Sequence, residues 1–294
     1  MDSRPQDSVI LVTGADGQIG REVCRSLRGT KKQVLPVDVN SRESVLSCDL
    51  RRRDEIAGLF ERHAISAVIH LAGMLPGALH ADPLAGAYVN LSGSVELMRQ
   101  AALRPVQRFV FGSSMSVYGS VARSKPVTER DPAVPDDLYG AAKRAVELLG
   151  EEVARQHGME FVALRIARVV GPGIKKTSSP WRAQILDGSV TTETIQVPFS
   201  PNAKLSLVHV EDVAIMLRLL AERGGKHTVY NTPAEIWEAG NLKKAVEQAR
   251  QVRVELGDGG SQGGPVCDGG RFEREFGFKL RGLRERLAEC PAHP

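Results

Sequence analysis

The amino-acid sequence predicts an α/β protein in which a doubly wound parallel sheet is followed by a small C-terminal lobe. Short apolar runs alternate with amphipathic helical stretches, which is typical of a parallel sheet covered by helices on both faces. The first apolar run, residues 9–12, stops at a glycine-rich turn that leads directly into a helix, as in βαβ units. A chain of 294 residues can hold one large α/β domain, or such a domain with a smaller lobe.

Each predicted strand is a short run rich in β-branched or aromatic residues and bounded by turn residues. The strands are expected at residues 9–12, 33–37, 67–71, 108–112 and 161–165. The first predicted helix carries Ile19, Val23 and Leu27 on one face and ends at Gly29. Further helices are expected at residues 54–63, 82–103 and 137–157.

The regular alternation breaks after residues 171–173, where the chain becomes rich in Ser, Thr, Pro and Lys as far as residue 203. Later elements are expected at 181–186 (helix), 208–221 (strand edge, then helix), 228–231 (strand), 242–252 (helix) and 283–289 (helix). The glycine-rich stretch 257–270 is predicted to be a mobile loop. We therefore expect a sheet domain at residues 1–170 and a lobe formed mainly by residues 171–294, with about 204–231 returning to the sheet.

Charge and cysteine content narrow the classes of function. The formal net charge of +4 comes from 39 Lys and Arg against 35 Asp and Glu spread along the chain, which slightly favours small anionic ligands and does not indicate a nucleic-acid surface. The four cysteines lie far apart without metal-ligand or redox spacing, so no metal site is expected. The N-terminal stretch is polar and no apolar run reaches membrane-spanning length, so the sequence predicts a soluble, cytoplasmic protein.

The glycine-rich turn between the first strand and the first helix is the first candidate site. Gly14, Gly17 and Gly20 allow the chain to turn tightly, to approach a pyrophosphate and to pack the helix against the sheet. Gln18 and Ile19 lie between Gly17 and Gly20, at the start of the predicted helix. The free N–H groups and the positive dipole end of this helix would face the phosphates of a bound dinucleotide. The pattern predicts a dinucleotide-binding turn.

An acidic residue stands where such a turn requires one. Asp38 follows the second predicted strand, and a carboxylate there can accept hydrogen bonds from the adenosine ribose hydroxyls while repelling a 2′-phosphate. NAD is therefore favoured over NADP. Arg42 lies close in sequence and keeps NADP as the less favoured alternative.

Tyr139 and Lys143 are the candidate catalytic pair. Their spacing puts both side chains on one face of a helix, one turn apart. The Lys143 ammonium can lower the pKa of the phenol, so that a phenolate accepts a hydroxyl proton as a hydride leaves the same carbon. The hydroxyl-rich stretch 113–119 follows the fourth strand, at the sheet edge where ligands of open α/β sheets bind.

Together these motifs resemble the extended short-chain dehydrogenase/reductase family, in its NAD-dependent epimerase/dehydratase type. The resemblance runs in consistent order from about residue 9 to about residue 231. The matching motifs are Thr-Gly-x-x-Gly-x-x-Gly at 13–20, Asp-Leu at 49–50, His-Leu-Ala-Gly at 70–73, Asn at 90, Ser-Ser-x-x-Val-Tyr-Gly at 113–119, Tyr-x-x-x-Lys at 139–143, Leu-Arg to Gly-Pro at 164–172 and Val-His-Val-x-Asp-Val-Ala at 208–214.

The resemblance implies a Rossmann domain at residues 1–170 that binds NAD and a lobe that binds substrate. It implies that Ser114, Tyr139 and Lys143 are catalytic. The cofactor-binding residues it implies are Gly14, Gly17, Gln18, Ile19, Gly20, Asp38, Asp49, Leu50, Leu71, Ala72, Gly73, Asn90, Tyr139, Lys143 and Ile166. It also suggests a homodimer formed through the helices at 82–103 and 137–157.

Three positions depart from the pattern of the relatives that epimerise nucleotide sugars. The Asn and the Arg that grip the diphosphate there are replaced by Arg168 and Leu205, and a Lys of some 4-epimerases is replaced by Leu75.

Several segments look more like relatives that act on small molecules, which include dehydrogenases of sugar acids and of threonine. The substrate-binding residues are expected to be Met74, Ser114, Ser116, Arg168 and Arg182, with an arginine pairing with a substrate carboxylate.

Three hypotheses follow. The first is an NAD-dependent dehydrogenase of a small sugar-like or hydroxy-acid substrate. The second is a nucleotide-sugar epimerase that retains its NAD, and the third is a non-catalytic NAD-sensing protein. His70 and His209 are expected to form structural hydrogen bonds rather than to bind a ligand.

Overall fold

The computed structural model describes residues 9–30, 32–42, 44–173, 179–189, 192–258 and 263–290. Its centre is a parallel seven-stranded sheet in the order β10-β6-β5-β4-β1-β2-β3. The strands are β1 (Val9–Thr13), β2 (Gln33–Asp38), β3 (Leu46–Ser47), β4 (Ile65–His70), β5 (Arg108–Ser114), β6 (Glu160–Ile166) and β10 (Val229–Asn231). This topology confirms the predicted doubly wound parallel sheet.

Helices cover both faces of this sheet because successive strand residues point to opposite sides. On one face, α1 (Gln18–Arg28) and α8 (Val210–Arg223) pack against strand residues such as Ile10 and Val110. On the other, α2 (Arg53–Arg62), α5 (Ser94–Ala102) and α6 (Leu138–His157) pack against residues such as Leu11. The near-continuous burial of the central strands explains their apolar composition.

The helix expected at residues 82–103 differs in its interior. After the short helix α3 (Pro76–Ala81), α4 (Pro83–Ala87) begins at Asp82, whose carboxylate caps the helix by accepting a hydrogen bond from the Ala85 N–H at 2.9 Å. A π-helical turn, Tyr88–Gly93, then leads into α5. Apolar periodicity could not reveal the wider turn, since one inserted residue changes the hydrogen-bond pattern and barely changes the hydrophobic pattern.

Outside the central sheet, the described residues form two smaller sheets. One has the order β11-β9-β7 and the other pairs β12 with β8. Their strands are β7 (Arg168–Val170), β8 (Thr194–Val197), β9 (Lys204–His209), β11 (Glu235–Glu238) and β12 (Arg253–Leu256). The accompanying helices are α7 (Trp181–Gln184), α9 (Ala239–Arg250) and α11 (Leu283–Glu289), whereas α10 (Gly270–Phe276) packs beside β10 of the central sheet. A separate apolar core centred on Trp181, Leu205 and Trp237 fills this region.

Residues 204–231, which the sequence analysis expects to return to the central sheet, divide between two sheets in the structure. Strand β9 pairs with β7 and β11 in the three-stranded sheet, whereas α8 packs on the central sheet and β10 joins it beside β6. Apolar composition cannot tell which sheet a strand joins, because both sheets offer a buried position. The predicted loop 257–270 lies partly outside the described residues. In the described part of the chain, no helix has the length and apolarity needed to cross a lipid bilayer.

Candidate active site

A cavity of about 1660 Å³ opens at the carboxyl ends of the central strands. Ligands of open α/β sheets bind at this edge. Of the residues that the sequence placed in the site, those lining the cavity are Gly14, Gly17, Gln18, Ile19, Gly20, Asp38, Asp49, Leu50, Leu71, Ala72, Gly73, Met74, Ser114, Ser116, Tyr139, Lys143, Ile166, Arg168 and Arg182. The fold therefore brings together residues that are spread over most of the chain.

The floor at one end is the glycine-rich turn. Gly14 has a φ of +70°, and a Cβ at this position would lie 2.7 Å from the Ala72 backbone nitrogen. A Cβ on Gly20 would overlap the Gly14 carbonyl oxygen. Since the N-cap of α1 is Gly17, no side chain of that residue covers the first N–H groups of the helix. The turn is thus a backbone cradle that fits a pyrophosphate.

Asp38 lies beside this cradle at the end of β2. Its carboxylate accepts hydrogen bonds from the Asp16 N–H at 3.1 Å and the Asn40 N–H at 3.2 Å. Arg42 pairs with the Asp16 carboxylate at 2.9 Å. The Arg42 guanidinium is therefore already neutralised by a carboxylate of the cradle.

Further along the same end, the cavity wall is formed by Asp49 and Leu50. The Asp49 carboxylate is bound by the Arg51 guanidinium, and this pairing lowers the pKa of Asp49. Leu50 packs against Gly93 of the π-helical turn, where a Cβ would lie 2.7 Å from the Leu50 carbonyl oxygen. The π-helical turn thus brings the start of α5 into close contact with this wall of the cavity.

A buried hydrogen-bond chain ties the cradle to the neighbouring strand. Ser94 donates to the Asn90 carbonyl at 2.9 Å, so its oxygen accepts from the Nε2–H of His70 at 2.8 Å. The Nδ1 atom of His70 then accepts from the Thr13 hydroxyl at 2.7 Å. Burial, aided by the Lys143 cation, lowers the pKa of His70 to about 3. His70 is therefore a neutral structural residue.

Asn90, which the sequence predicts to bind the cofactor, lies behind the residues that line the cavity. Its side chain accepts from the Met74 N–H at 2.6 Å and donates to the Met74 carbonyl at 2.9 Å. Asn90 thus holds the segment after β4, which forms the cavity wall. The family motif identifies Asn90 in the sequence, but only the structure shows that its amide binds the backbone of Met74.

The candidate catalytic pair lies at the start of α6, whose N-cap Asp137 accepts from the Gly140 N–H at 2.6 Å. The Lys143 ammonium donates to the Gly112 carbonyl at 2.7 Å and lies 5.6 Å from the centre of the Tyr139 ring. Burial raises the pKa of Tyr139 to about 12 and lowers the pKa of Lys143 to about 8. Burial thus disfavours the charged forms of both groups, while each charged form would stabilise the other.

Two serine hydroxyls follow at the end of β5. Ser114 donates to the Ser116 hydroxyl at 3.1 Å and caps a 3₁₀ turn, Met115–Tyr118, by accepting from the Ser116 N–H at 3.1 Å. The start of α6 packs tightly against this turn, since a Cβ on Gly140 would overlap the Ser116 carbonyl oxygen. The close approach explains why a glycine follows Tyr139 directly.

Two arginines line the opposite part of the cavity. Arg168 lies 5.0 Å from the centre of the Phe199 ring and donates to the Gly263 carbonyl at 2.5 Å. The Nε atom of Arg182 is buried without a hydrogen-bond partner among the described residues. Burial, reinforced by the Arg182 cation, lowers the pKa of Arg168 to about 10, and burial also lowers the pKa of Arg182. Both cations would gain from an anionic partner.

Arg21 and Glu147 contribute to the site and were not predicted from the sequence, and Gln18 has a contact beyond its predicted one. Gln18 was expected to bind the cofactor, but its amide also donates to the Gly171 and Pro172 carbonyls at 2.9 and 3.1 Å. Arg21 donates to the Gly173 carbonyl at 2.5 Å, so α1 holds the loop that follows β7. The sequence gives no indication of these contacts, because the residues that they join are more than 150 positions apart. Glu147 could have been noticed, because it stands one helical turn beyond Lys143.

Similarity to known proteins agrees with this geometry. Residues 10–232 match the NAD dependent epimerase/dehydratase family. A UDP-glucose 4-epimerase of Lacticaseibacillus casei is 28% identical over 173 residues, which cover 55% of this chain and 52% of that protein. An L-arabinose 1-dehydrogenase (NAD(P)(+)) of Haloferax volcanii is 32% identical over 171 residues, covering 53% of this chain and 65% of that protein. The chain spans about half the length of the first curated relatives it matches.

The fold is shared over almost the whole chain. The crystal structure of a Thermus thermophilus UDP-glucose 4-epimerase in complex with NAD has a TM-score of 0.82 to this protein at 22% identity and covers 96% of this chain and 97% of that chain. At this identity the likeness establishes the Rossmann fold alone. The match to the family extends over more than half of the sequence and includes both the cradle and the candidate catalytic pair. The chain therefore belongs to the NAD dependent epimerase/dehydratase family, and its cofactor is NAD.

Proposed function

We propose that this protein is an NAD-dependent dehydrogenase that oxidises a secondary hydroxyl group of a small hydroxy acid or sugar acid. The observation that carries the proposal is the composition of one cavity. Ser114, Tyr139 and Lys143 line it together with two partly buried arginines, Arg168 and Arg182. The serine, tyrosine and lysine suit proton transfer at an alcohol. The two arginines suit the binding of a carboxylate on the same substrate.

The proton-transfer step follows from the proposed roles of three residues. The Tyr139 phenolate accepts the proton of the substrate hydroxyl, and the Ser114 hydroxyl holds the same oxygen. Lys143 stabilises the phenolate by its positive charge. NAD bound in the cradle would supply the hydride acceptor that oxidation of the alcohol to a carbonyl requires. For NAD, Gly14, Gly17 and Gly20 would hold the pyrophosphate.

The charge distribution in the cavity supports an anionic substrate. Within the described part of the chain, neither Arg168 nor Arg182 forms an ion pair. Asp136 and Asp137, which also line the cavity, are engaged with Ser120 and with the first turn of α6. A buried cation without a partner is costly, and a bound carboxylate would remove that cost.

An epimerase of nucleotide sugars is the second candidate, because curated relatives that share more than half of this chain are UDP-glucose 4-epimerases. Two observations weigh against it. Leu205 replaces the expected diphosphate-binding Arg and is fully buried in the apolar core of the small lobe. Leu75 lines the cavity where some 4-epimerases have a Lys. Neither of the two side chains that grip the diphosphate in those relatives is present, since Arg168 and Leu205 stand at their positions.

One experiment separates these functions. The purified protein is analysed for bound nicotinamide and is then incubated with free NAD and panels of hydroxy acids, sugar acids and nucleotide sugars. A dehydrogenase should form NADH stoichiometrically with a ketone product from one of the acids. Isomer formation from a nucleotide sugar, with tightly bound NAD and no requirement for added cofactor, would refute the dehydrogenase proposal.

Arg182→Met is expected to raise KM for the acid substrate roughly ten- to a hundredfold, with a smaller change in kcat. The reason is the loss of a charge-assisted hydrogen bond, of about 1.5–3 kcal/mol, to the substrate carboxylate. The measurement compares the acid with a neutral analogue that carries an amide in place of the carboxylate. The variant should lose selectivity for the acid, and an unchanged preference would show that Arg182 does not bind the carboxylate.

Asp38→Asn is expected to weaken NAD binding roughly tenfold and to reduce the discrimination against NADP. The neutral amide removes a charged acceptor for the ribose hydroxyls and removes the repulsion of a 2′-phosphate. Dissociation constants for both dinucleotides, measured by calorimetry, give the ratio directly. Arg42→Gln is the matched variant: because Arg42 pairs with Asp16, it should leave the ratio nearly unchanged. A ratio that falls only in Arg42→Gln would assign cofactor choice to Arg42.

The two long helices also support the proposed homodimer. Tyr88 and Val95, on the helix that contains the π-helical turn, and Leu148 and Leu149 on α6 are exposed apolar residues. α5 and α6 are neighbours on the same face of the sheet. Such a pair of apolar helix faces would be buried by a second copy related by a twofold axis.

A further inference from the structure

Helix α6 is attached to the end of β5 at two successive turns. At the first, the Lys143 ammonium donates to the Gly112 carbonyl at 2.7 Å. At the second, the Glu147 carboxylate accepts from the Ser113 hydroxyl at 2.6 Å. The next residue of the strand is Ser114, the proposed hydroxyl partner of the substrate. Residues one helical turn apart thus hold adjacent residues of the strand that carries this serine.

Glu147 is the centre of a buried ion network. Its carboxylate, which is 1% exposed, accepts two hydrogen bonds from Arg165, at 2.9 and 2.7 Å, and one from Arg144 at 2.9 Å. Arg165 also donates to the Tyr118 hydroxyl at 2.7 Å. A buried ion pair of this kind adds little stability beyond what apolar residues of the same volume would give, because both charges lose their solvation. Stability alone does not explain the network.

The charged and titratable groups near Lys143 come from three elements. Glu147 and Tyr139 lie one turn away on either side along α6, Arg165 comes from β6 behind Glu147, and His70 comes from β4. His70 is neutral because burial lowers its pKa to about 3. Glu147 therefore supplies the negative charge beside the buried ammonium, and it opposes the lowering of the Lys143 pKa that burial causes.

Tyr139 itself faces two further charged groups. The Arg182 cation lowers the pKa of the phenol and the Asp137 carboxylate raises it, and both act on a group that burial already shifts upwards. Among the described residues, it is Glu147 whose charge acts on the Lys143 ammonium. Burial and the Glu147 carboxylate therefore act on the Lys143 ammonium in opposite directions.

On the proposed roles of Tyr139 and Lys143, we propose that Glu147 is a positioning residue of the active site. It holds the Ser113–Ser114 end of β5 against α6 and balances the buried Lys143 ammonium with its negative charge. Arg165 keeps the carboxylate in place, as its guanidinium binds both carboxylate oxygens.

The test measures the ionisation of Lys143 in Glu147→Gln. Protein containing lysine labelled with ¹³C at Cε is titrated by NMR, and the Lys143 signal is assigned by its absence in Lys143→Met. Loss of the carboxylate in an intact site should lower the midpoint of the Lys143 titration by about one pH unit. A merely structural role would act in the opposite direction, because loosened packing admits water and moves the midpoint up towards that of an exposed lysine.

A second variant keeps the test decisive if Arg165, left without its partner, prevents Glu147→Gln from folding. Glu147→Gln with Arg165→Met removes both buried charges and should fold. It should lower the Lys143 midpoint less than the single substitution does, because the Arg165 cation is lost as well.

Glu151→Gln is the control, because Glu151 lies one turn further along α6 at the surface, where it accepts from the Thr228 hydroxyl at 3.2 Å. It should leave the midpoint unchanged.

A midpoint that stays constant or rises in the Glu147 variants would overturn the proposal. The titration needs neither substrate nor turnover. Its result is therefore independent of whether the proposed dehydrogenase activity is found.

Discussion

Tyr139→Phe is expected to lower turnover about 10²- to 10⁴-fold while NAD binding persists. The substitution removes one oxygen atom, and with it the acid/base that receives the hydroxyl proton. The ring that lies 5.6 Å from the Lys143 ammonium remains. Hydride transfer should therefore slow in single-turnover experiments with saturating NAD, whereas the dissociation constant for NAD should change by less than a few-fold.

The dependence on pH gives a second measure of the same residue. Oxidation of an alcohol needs the phenolate, so kcat should rise with pH as Tyr139 loses its proton. Burial is the largest of the causes that raise the pKa of Tyr139 to about 12. In the proposed mechanism, the positive charges of Lys143 and of oxidised nicotinamide lower this pKa. The rate should level off or fall above about pH 8, where Lys143 loses its own proton. In Tyr139→Phe the rising limb should disappear.

Tyr88→Phe is the matched control. Tyr88 lies on the π-helical turn and is 61% exposed, so the loss of its hydroxyl should change neither kcat nor the pH profile. If Tyr139→Phe retained wild-type turnover on the identified substrate, the proton-transfer mechanism proposed for this site would be wrong.

The parts of this structure that the sequence could predict are those fixed by local patterns. Apolar runs of four or five residues between turn signals located the buried strands, and the spacing of Gly14, Gly17 and Gly20 located the cradle. Both features depend on neighbours within one βαβ unit. Tyr139 and Lys143 were found in the same way, since an interval of four residues defines one face of a helix.

The features that sequence could not predict depend on contacts between distant residues. Strand β9 joins the small sheet because β7 and β11 offer it an edge, a choice that its own composition does not encode. The amide of Asn90 turns towards Met74, which is visible only once the π-helical turn is in place. Arg168 and Arg182, 14 positions apart in the sequence, both line the cavity because the chain folds back after β7.

Gly20→Ala is expected to damage the cradle itself. The added Cβ would overlap the Gly14 carbonyl oxygen and lie 2.8 Å from the Ala15 Cα, and both are backbone atoms of the turn that must move. Overpacking of this kind costs about 1–3 kcal/mol of stability. The displaced N–H groups would also lose their alignment with the pyrophosphate, so that the dissociation constant for NAD should rise roughly a hundredfold.

Gly29→Ala is the matched control at the other end of the same helix. A Cβ on Gly29 would lie 3.6 Å from the Ser26 carbonyl oxygen, an ordinary contact, and its φ of −71° suits any L-residue. Thermal unfolding with and without NAD compares the two variants. In the wild type and in Gly29→Ala, NAD should raise Tm, because it binds the folded state alone. The increase should be largely lost in Gly20→Ala, and wild-type NAD affinity in that variant would show that the pyrophosphate does not lie against this turn.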